Sequence, residues 1–284
     1  MDEMTAVLKA RELLATVNPT VIPVAVEGYA AKVGAVIRVE IDLGQDEPGW
    51  SFENNGKHYI CINGNDQEER RRFTVCHEIA HIVLGLQSDH GALPWWSYAK
   101  RPPEEILCDI FAAELLLPHN LFKKAAEKEE ISFATVANLA ARFTASLTAT
   151  GSRFATVISA PCAFVLSEQG RVRYTSRSLA LREASAWISP RACLPHGSVS
   201  ERARSGENCE GSEEIDACLW FNDWERGGVL LEEARHLNRW DQTLTLLWFE
   251  DEEVPLPVRL EKTEEWEVKE LDGILPWPGR RRRK

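Results

Sequence analysis

The sequence lacks the features of membrane proteins, of secreted proteins and of nucleic-acid-binding proteins. No apolar run approaches the about 20 residues that a transmembrane helix requires, and the acidic Asp2 and Glu3 stand where a secretory signal would be basic. Basic residues are also in deficit, with 33 Lys and Arg against 44 Asp and Glu and a net charge of −11. We therefore expect neither a membrane-bound chain nor direct nucleic-acid binding, which needs a basic surface.

Paired cysteines are missing as well. The seven cysteines are odd in number, and no two of them have the C-x-x-C spacing of zinc ribbons and redox motifs. Neither a disulfide framework nor a cysteine-based zinc site is expected. This usage fits a reducing environment, and the predicted location is the cytoplasm.

The 284 residues are enough for about two domains. Helical and strand patterns mix up to about residue 160, whereas strands and turns dominate beyond it. We expect a first domain over residues 1–130, a helical segment over 131–160, an α+β domain over 161–279 and a solvated basic tail over 280–284. No internal repeat is present.

Local patterns predict the individual elements. Asn55-Gly56 between two alternating stretches indicates a type I′ hairpin, and Asn65 followed by Glu68 resembles a capping box that would open a helix near Asp66. The expected helices cover 2–16, 24–33, 66–84, 104–117, 133–143 and 146–155, and the expected strands cover 36–40, 50–53, 57–62, 162–166, 170–175, 217–221 and 244–249.

The segment His77-Glu78-Ile79-Ala80-His81 fits H-E-x-x-H, the sharpest chemical signal in the chain. Residues four apart on a helix project from one face, so His77 and His81 can hold one Zn²⁺ ion. Glu78 is displaced by about 100° around the helix axis. It can therefore miss the metal and act as the general base on a metal-bound water.

A third ligand is available on the next predicted helix. Glu105 and Asp109 are also four residues apart, in a mostly apolar stretch. Glu105 can complete a His₂Glu set with an open fourth position, and Asp109 can accept the ring N–H of His77 as a supporting contact. Glu104 and Glu114 compete for the ligand role. Glu104 has no acid four residues on, and Glu114 lies far along the helix.

Four stretches resemble the ImmA/IrrE family of metallopeptidases. The resemblance covers about residues 20–157, and Ala145 stands where valine is usual. Cys108 and Asp109 are mild departures from the small residue and the amide that the family often has there. The matching stretches are RFTVCHEIAHIVLG over 72–85 (active-site helix), EILCDIFAAELLLP over 105–118 (third-ligand helix), YICIN over 59–63 and LAARFTAS over 139–146 (helix-turn-helix-like segment).

The resemblance implies an α+β fold with a zincin-like metallopeptidase domain and helix-turn-helix-like helices. A second α+β module, with a GAF-like sensor as one form, would follow. His77, His81 and Glu105 would be metal ligands and Glu78 the base. Zn²⁺ is the expected metal, and Mn²⁺ or Fe²⁺ also suit this donor set. The family is reported to cleave a helix-turn-helix repressor, so an Xre/Cro-type repressor is the expected protein substrate, in stress response or mobile-element control.

Alternatives stay open at this point. A non-catalytic regulator that binds a repressor or DNA, or a metallohydrolase of a small substrate, would also carry this fold. The helix pair over 133–155 contains only Arg142 and Arg153 as basic residues, which favours packing or substrate docking over DNA contact. Four residues compete as the donor that stabilises an oxyanion: Arg72, His90, Tyr98 and His119.

Overall fold

The computed structural model describes residues 1–44, 47–87, 102–209, 211–222, 224 and 227–250. The predicted tail over 280–284 and the last part of the predicted 161–279 domain lie outside these residues. The described chain has an α+β fold, as predicted. No helix in these ranges is both long and apolar enough to cross a bilayer.

The first half contains seven helices and a small sheet within the described ranges. The helices are α1 (Glu3–Val17), α2 (Val26–Lys32), α3 (Glu68–Leu84), α4 (Pro103–Leu116), α5 (His119–Ala126), α6 (Phe133–Phe143) and α7 (Leu147–Val157), and the strands are β1 (Ala35–Glu40), β2 (Gly49–Asn54) and β3 (Lys57–Asn63).

The small sheet has the order β1-β3-β2, with β1 parallel to β3 and β2 antiparallel to it. Asn55 and Gly56 close the β2–β3 hairpin with positive φ angles of 51° and 73°, as the Asn-Gly pair predicts. Ile60 and Ile62 of β3 face the core beneath α3. Helix α3 therefore packs between this sheet and α4.

The second half is built on an antiparallel sheet of order β5-β4-β8-β7-β6. Its elements are β4 (Cys162–Glu168), β5 (Arg171–Arg177), α8 (Leu179–Glu183), α9 (Val199–Arg204), β6 (Glu213–Asp216), β7 (Val229–Leu237) and β8 (Gln242–Trp248).

The two faces of this sheet bury different cores. Phe164 and Leu166 of β4 join the core that also contains the helices of the first half. Ala163 and Val165 face a second apolar core, which includes Trp220. Alternation along a strand explains the division. One face of the sheet therefore packs directly on α7.

Two sequence expectations are wrong in detail, and one strand was missed. Helix α3 begins at Glu68 with Gln67 as its N-cap, because the Asn65 side chain donates to the carbonyl of Ile41 instead of capping. The expected strand over 217–221 is a 3₁₀ turn, in which the Asp216 carboxylate accepts from the N–H of Cys218. Strand β7 was not expected, because its glutamates and Arg235 conceal the alternation.

Candidate metal centre

Helix α3 brings its two histidines to one buried face. His77 and His81 are 6% and 3% exposed, and their ring centroids are 4.9 Å apart. Gly85 ends the helix with a φ of 67°, and the carbonyl of Leu86 then lies 3.3 Å from Nδ1 of His81. Donation from Nδ1 to this carbonyl leaves Nε2 as the metal-binding nitrogen of His81.

Helix α4 supplies two carboxylates on the facing side. Oε2 of Glu105 lies 3.1 Å from Nε2 of His77, and Oε1 of Glu105 lies 3.4 Å from Nε2 of His81. One turn further on, Oδ1 of Asp109 lies 3.0 Å from Nδ1 of His77. The structure thus brings His77, His81, Glu105 and Asp109 together in one buried cluster.

Electrostatics in this cluster favour a positive charge between the two helices. Burial alone would lower the pKa of His77, but hydrogen bonds to Asp109 and Glu105 outweigh it and raise that pKa to about 10. The pKa of His81 is lowered by burial and by the neighbouring charge on His77. The carboxylates thus attract one cationic charge, and a divalent cation can replace the His77 proton.

The donor atoms fit a divalent metal. The Nε2 atoms of His77 and His81 are 3.1 Å apart, and each lies near a carboxylate oxygen of Glu105 at the distances given above. A tetrahedral ion with bonds of about 2.0–2.1 Å places its donors about 3.3–3.4 Å apart. Two imidazoles and one carboxylate also form the donor set of many catalytic zinc sites. His77, His81 and Glu105 are therefore suited to hold such an ion.

Glu78 points in another direction from the same helix. Its donor atom lies within 4.8 Å of those of His77 and His81, so distance alone would also admit it as a ligand. Its Oε2, however, accepts a hydrogen bond of 2.6 Å from Oγ of Ser51 on β2. Glu105, by contrast, approaches both imidazoles.

Ser51 is a functional candidate that the sequence did not identify. Strand alternation places Ser51 on the same face as Gly49, but no local pattern shows that this face meets α3.

The two acids that compete with Glu105 for the ligand role lie in other surroundings. Glu104 is exposed, and Glu114 forms ion pairs that make it unsuitable as a ligand.

Two of the four candidate oxyanion donors, Arg72 and His119, lie within the described residues. His90 and Tyr98 lie outside the described residues. Nη2 of Arg72 donates to the carbonyl of Val24 at 2.7 Å, which directs this nitrogen toward the chain before α2. His119 lies at the start of α5, where its ring nitrogen is 3.4 Å from the side-chain oxygen of Asn120.

The basic residues of the helix pair α6–α7 form ion pairs. Arg142 lies 3.6 Å from Glu129. Arg153 lies 2.6 Å from Glu114, which also pairs with Arg11 of α1 at 3.0 Å. Arg153 thus links α7 to α4, the helix that carries Glu105 and Asp109.

A match to a family model covers the part of the chain that carries this cluster. Residues 32–155 match the model of the IrrE N-terminal-like domain, peptidase family M78. The chain is 30% identical over 165 residues to the radiation response metalloprotease IrrE of Deinococcus deserti. That match covers 55% of this chain and 57% of the relative, so the likeness spans little more than half of either protein.

A solved structure shows a similar fold. The Mycobacterium tuberculosis transcriptional regulator superposes with a TM-score of 0.60 at 12% sequence identity, over 89% of this chain and 78% of that one. At this identity the likeness concerns the fold alone. It extends over both halves of the described chain.

Proposed function

We propose that this chain is a zinc-dependent endopeptidase of the ImmA/IrrE family. Residues 32–155 match the IrrE N-terminal-like domain, and the chain is similar to a metalloprotease, which supports the proposal. The observation that carries the proposal is the buried triangle of His77, His81 and Glu105 with Glu78 beside it. Two imidazoles and one carboxylate as ligands, with a second carboxylate beside them as the general base, are the arrangement that H-E-x-x-H metallopeptidases use.

Each of these residues has a defined part in the proposed reaction. His77, His81 and Glu105 would hold the ion, with Asp109 keeping the His77 ring in place. Zinc held there would supply Lewis-acid polarisation of a peptide carbonyl. Glu78 takes a proton from the attacking water and delivers it to the leaving amine. A buried carboxylate with one fixed oxygen is suited to this shuttle, because its orientation is set before substrate arrives.

The proposed metal is Zn²⁺, because imidazole and carboxylate donors in a tetrahedral arrangement suit it. Mn²⁺ and Fe²⁺ also accept this donor set and are the alternatives.

All seven cysteines are free thiols. This supports the proposed location, a reducing cytoplasm.

The proposed substrate is an Xre/Cro-type helix-turn-helix repressor, whose cleavage would relieve repression in a stress response or in mobile-element control. The resemblance of residues 72–85 and 105–118 to the family supports this substrate.

We further propose a domain division near residue 161, with the second half acting as a regulatory module, for which a GAF-like sensor is the model. The ion pairs of Arg142 and Arg153 support a packing role for α6 and α7.

The test uses the purified chain loaded with Zn²⁺ and a helix-turn-helix repressor, chosen from the genes that neighbour its own. Fragments are identified by mass spectrometry. We expect a single cut, and we expect Glu78→Gln to bind zinc normally but to cleave at least about 100-fold more slowly. Glu53→Gln, which changes an exposed glutamate of β2, is the matched control.

Other outcomes would identify a different function. An intact repressor that co-purifies with the zinc-loaded protein would show a binding-only regulator. Salt-sensitive shifts of random duplex DNA would show nucleic-acid contact. Normal cleavage by Glu78→Gln would refute the assigned base.

A further inference from the structure

We propose that Gly49 and Ser51 of strand β2 position the carboxylate of Glu78 for its part in the reaction. The two residues pack against one face of α3, with Gly49 at Thr74 and Ser51 at Glu78. This inference rests on the proposed function, because it assigns a role to the neighbours of the proposed base.

The contact is built from two matching periodicities. Residues two apart on a strand share a face, as Gly49 and Ser51 do, and residues four apart on a helix share a face, as Thr74 and Glu78 do. Oγ of Ser51 donates to Oε2 of Glu78 at 2.6 Å. The strand therefore follows the helix over one turn and reaches the base at the end of that turn.

Gly49 provides the space for this approach. A Cβ atom at position 49 would lie 2.4 Å from the carbonyl oxygen of Cys61 and 2.7 Å from Cγ2 of Thr74. Both distances are shorter than real Cβ contacts, and the nearest atom is backbone. Any side chain here would push β2 away from β3 and α3, and Ser51 would move away from Glu78.

A fixed base matters because glutamate has several rotatable bonds and small displacements of a reacting group slow catalysis. A misplacement of about 1 Å can cost about 100-fold in rate. Glu78 is 1% exposed, so a hydrogen bond from the protein is the available means of fixing the carboxylate oxygen that Ser51 meets. Ser51 acts through Glu78 and is a positioning residue.

The first experiment compares Ser51→Ala and Ser51→Thr in the zinc-loaded full chain, with a peptide that spans the bond cut in the repressor. We expect Ser51→Ala to lower kcat by about 10- to 100-fold with an unchanged KM and unchanged zinc content. Ser51→Thr keeps the hydroxyl and should recover most of kcat. Ser205→Ala, which changes an exposed serine at the end of α9 in the second half of the chain, is the matched control.

The second experiment changes the space instead of the hydrogen bond. Gly49→Ala should lower kcat in the same direction as Ser51→Ala. Gly28→Ala is the control, because a Cβ atom at position 28 would meet only Cγ1 of Val17 at 3.6 Å. If Gly49→Ala does not fold, the Ser51 variants decide the question alone.

A third measurement does not depend on activity. Thermal unfolding of Ser51→Ala, Glu78→Gln and the double variant should give shifts in Tm that do not add, because the two residues share a hydrogen bond. Additive shifts would overturn the contact.

The outcomes separate this inference from the proposed function. A normal kcat for Ser51→Ala, or failure of Ser51→Thr to recover activity, overturns the positioning role and leaves the peptidase standing. A wild-type protein that binds zinc and cuts nothing overturns both.

Discussion

Asp109 lies 3.0 Å from Nδ1 of His77 and is the hydrogen-bond acceptor for the proton on that nitrogen. The contact keeps Nε2 as the ring nitrogen that faces Glu105 and His81. A carboxylate in this position both orients the imidazole and increases its basicity toward a metal.

Asp109→Ala should therefore weaken zinc binding by about 10- to 100-fold. Asp109→Asn should cost less, because an amide oxygen still accepts the Nδ1 proton although it carries no charge. Competition with a chromophoric chelator measures both affinities. Equal affinities for Asp109→Ala and the wild type would show that the His77 ring needs no such support.

Glu105→Gln should reduce zinc affinity more than Asp109→Ala does, because it removes a ligand charge. Loss of a supporting carboxylate costs about 10- to 100-fold in affinity, and the loss at Glu105 should exceed this. The neighbouring exposed Glu104 is the control, since Glu104→Gln makes the same chemical change on the same helix. Zinc content after dialysis against a weak chelator gives the comparison. A zinc-free Glu104→Gln with a zinc-loaded Glu105→Gln would reverse the assignment.

Glu114 should make stability depend on pH. Burial alone raises its pKa, but the ion pairs with Arg153 and Arg11 outweigh burial and hold the pKa below its usual 4.5. The unfolded chain therefore binds this proton more readily than the folded protein. The stabilisation is present above the unfolded pKa and is lost as pH falls through the lower folded value.

Glu114→Gln should lower the free energy of unfolding at pH 7 by about 1–3 kcal/mol. Its stability should also fall less steeply than that of the wild type below about pH 5. Urea unfolding at a series of pH values measures both effects. Glu127→Gln, which removes an exposed ion pair with Lys123, should leave the pH profile unchanged; a change as large as that of Glu114→Gln would contradict the prediction.

Gly151 sets the distance between α7 and the second sheet. A Cβ atom there would lie 2.3 Å from the ring of Phe164, so Gly151→Ala should destabilise the fold by about 1–3 kcal/mol through overpacking. Gly28→Ala lacks this clash and should be neutral or stabilising by up to about 1 kcal/mol. Urea unfolding midpoints distinguish the two, and equal midpoints would show that the packing of α7 on β4 adapts freely.

The residues of the proposed metal site could be predicted best where their placement depends only on neighbours in the sequence. His77, Glu78 and His81 lie within one helix, where the 3.6-residue period alone decides which side chains share a face. Glu105 and Asp109 could be paired with each other for the same reason. Their contact with His77 depends on α4 packing against α3, and here the apolar character of both helices and the family resemblance supplied what periodicity could not.

Local rules failed where a tertiary contact competed with them. Asn65 has the residue type and spacing of a helix cap, but its side chain donates to the Ile41 carbonyl on the neighbouring strand connection. Strand β7 carries Glu232 with its carboxylate buried against the backbone N–H groups of Val199 and Ser200. An acidic residue at a core position hides the apolar alternation that identifies a strand.

The sequence by itself thus determined the spacing of the proposed metal ligands, the helices that carry them and the α+β class, because these follow from residue spacing and from the period of apolar residues. Only the tertiary structure decided that Ser51 meets Glu78, that Gly49 leaves room for Thr74 and that Arg153 holds Glu114. Each of these contacts joins two elements that are separated in the chain. Strand register and helix packing set such contacts, and no local sequence pattern encodes either of them.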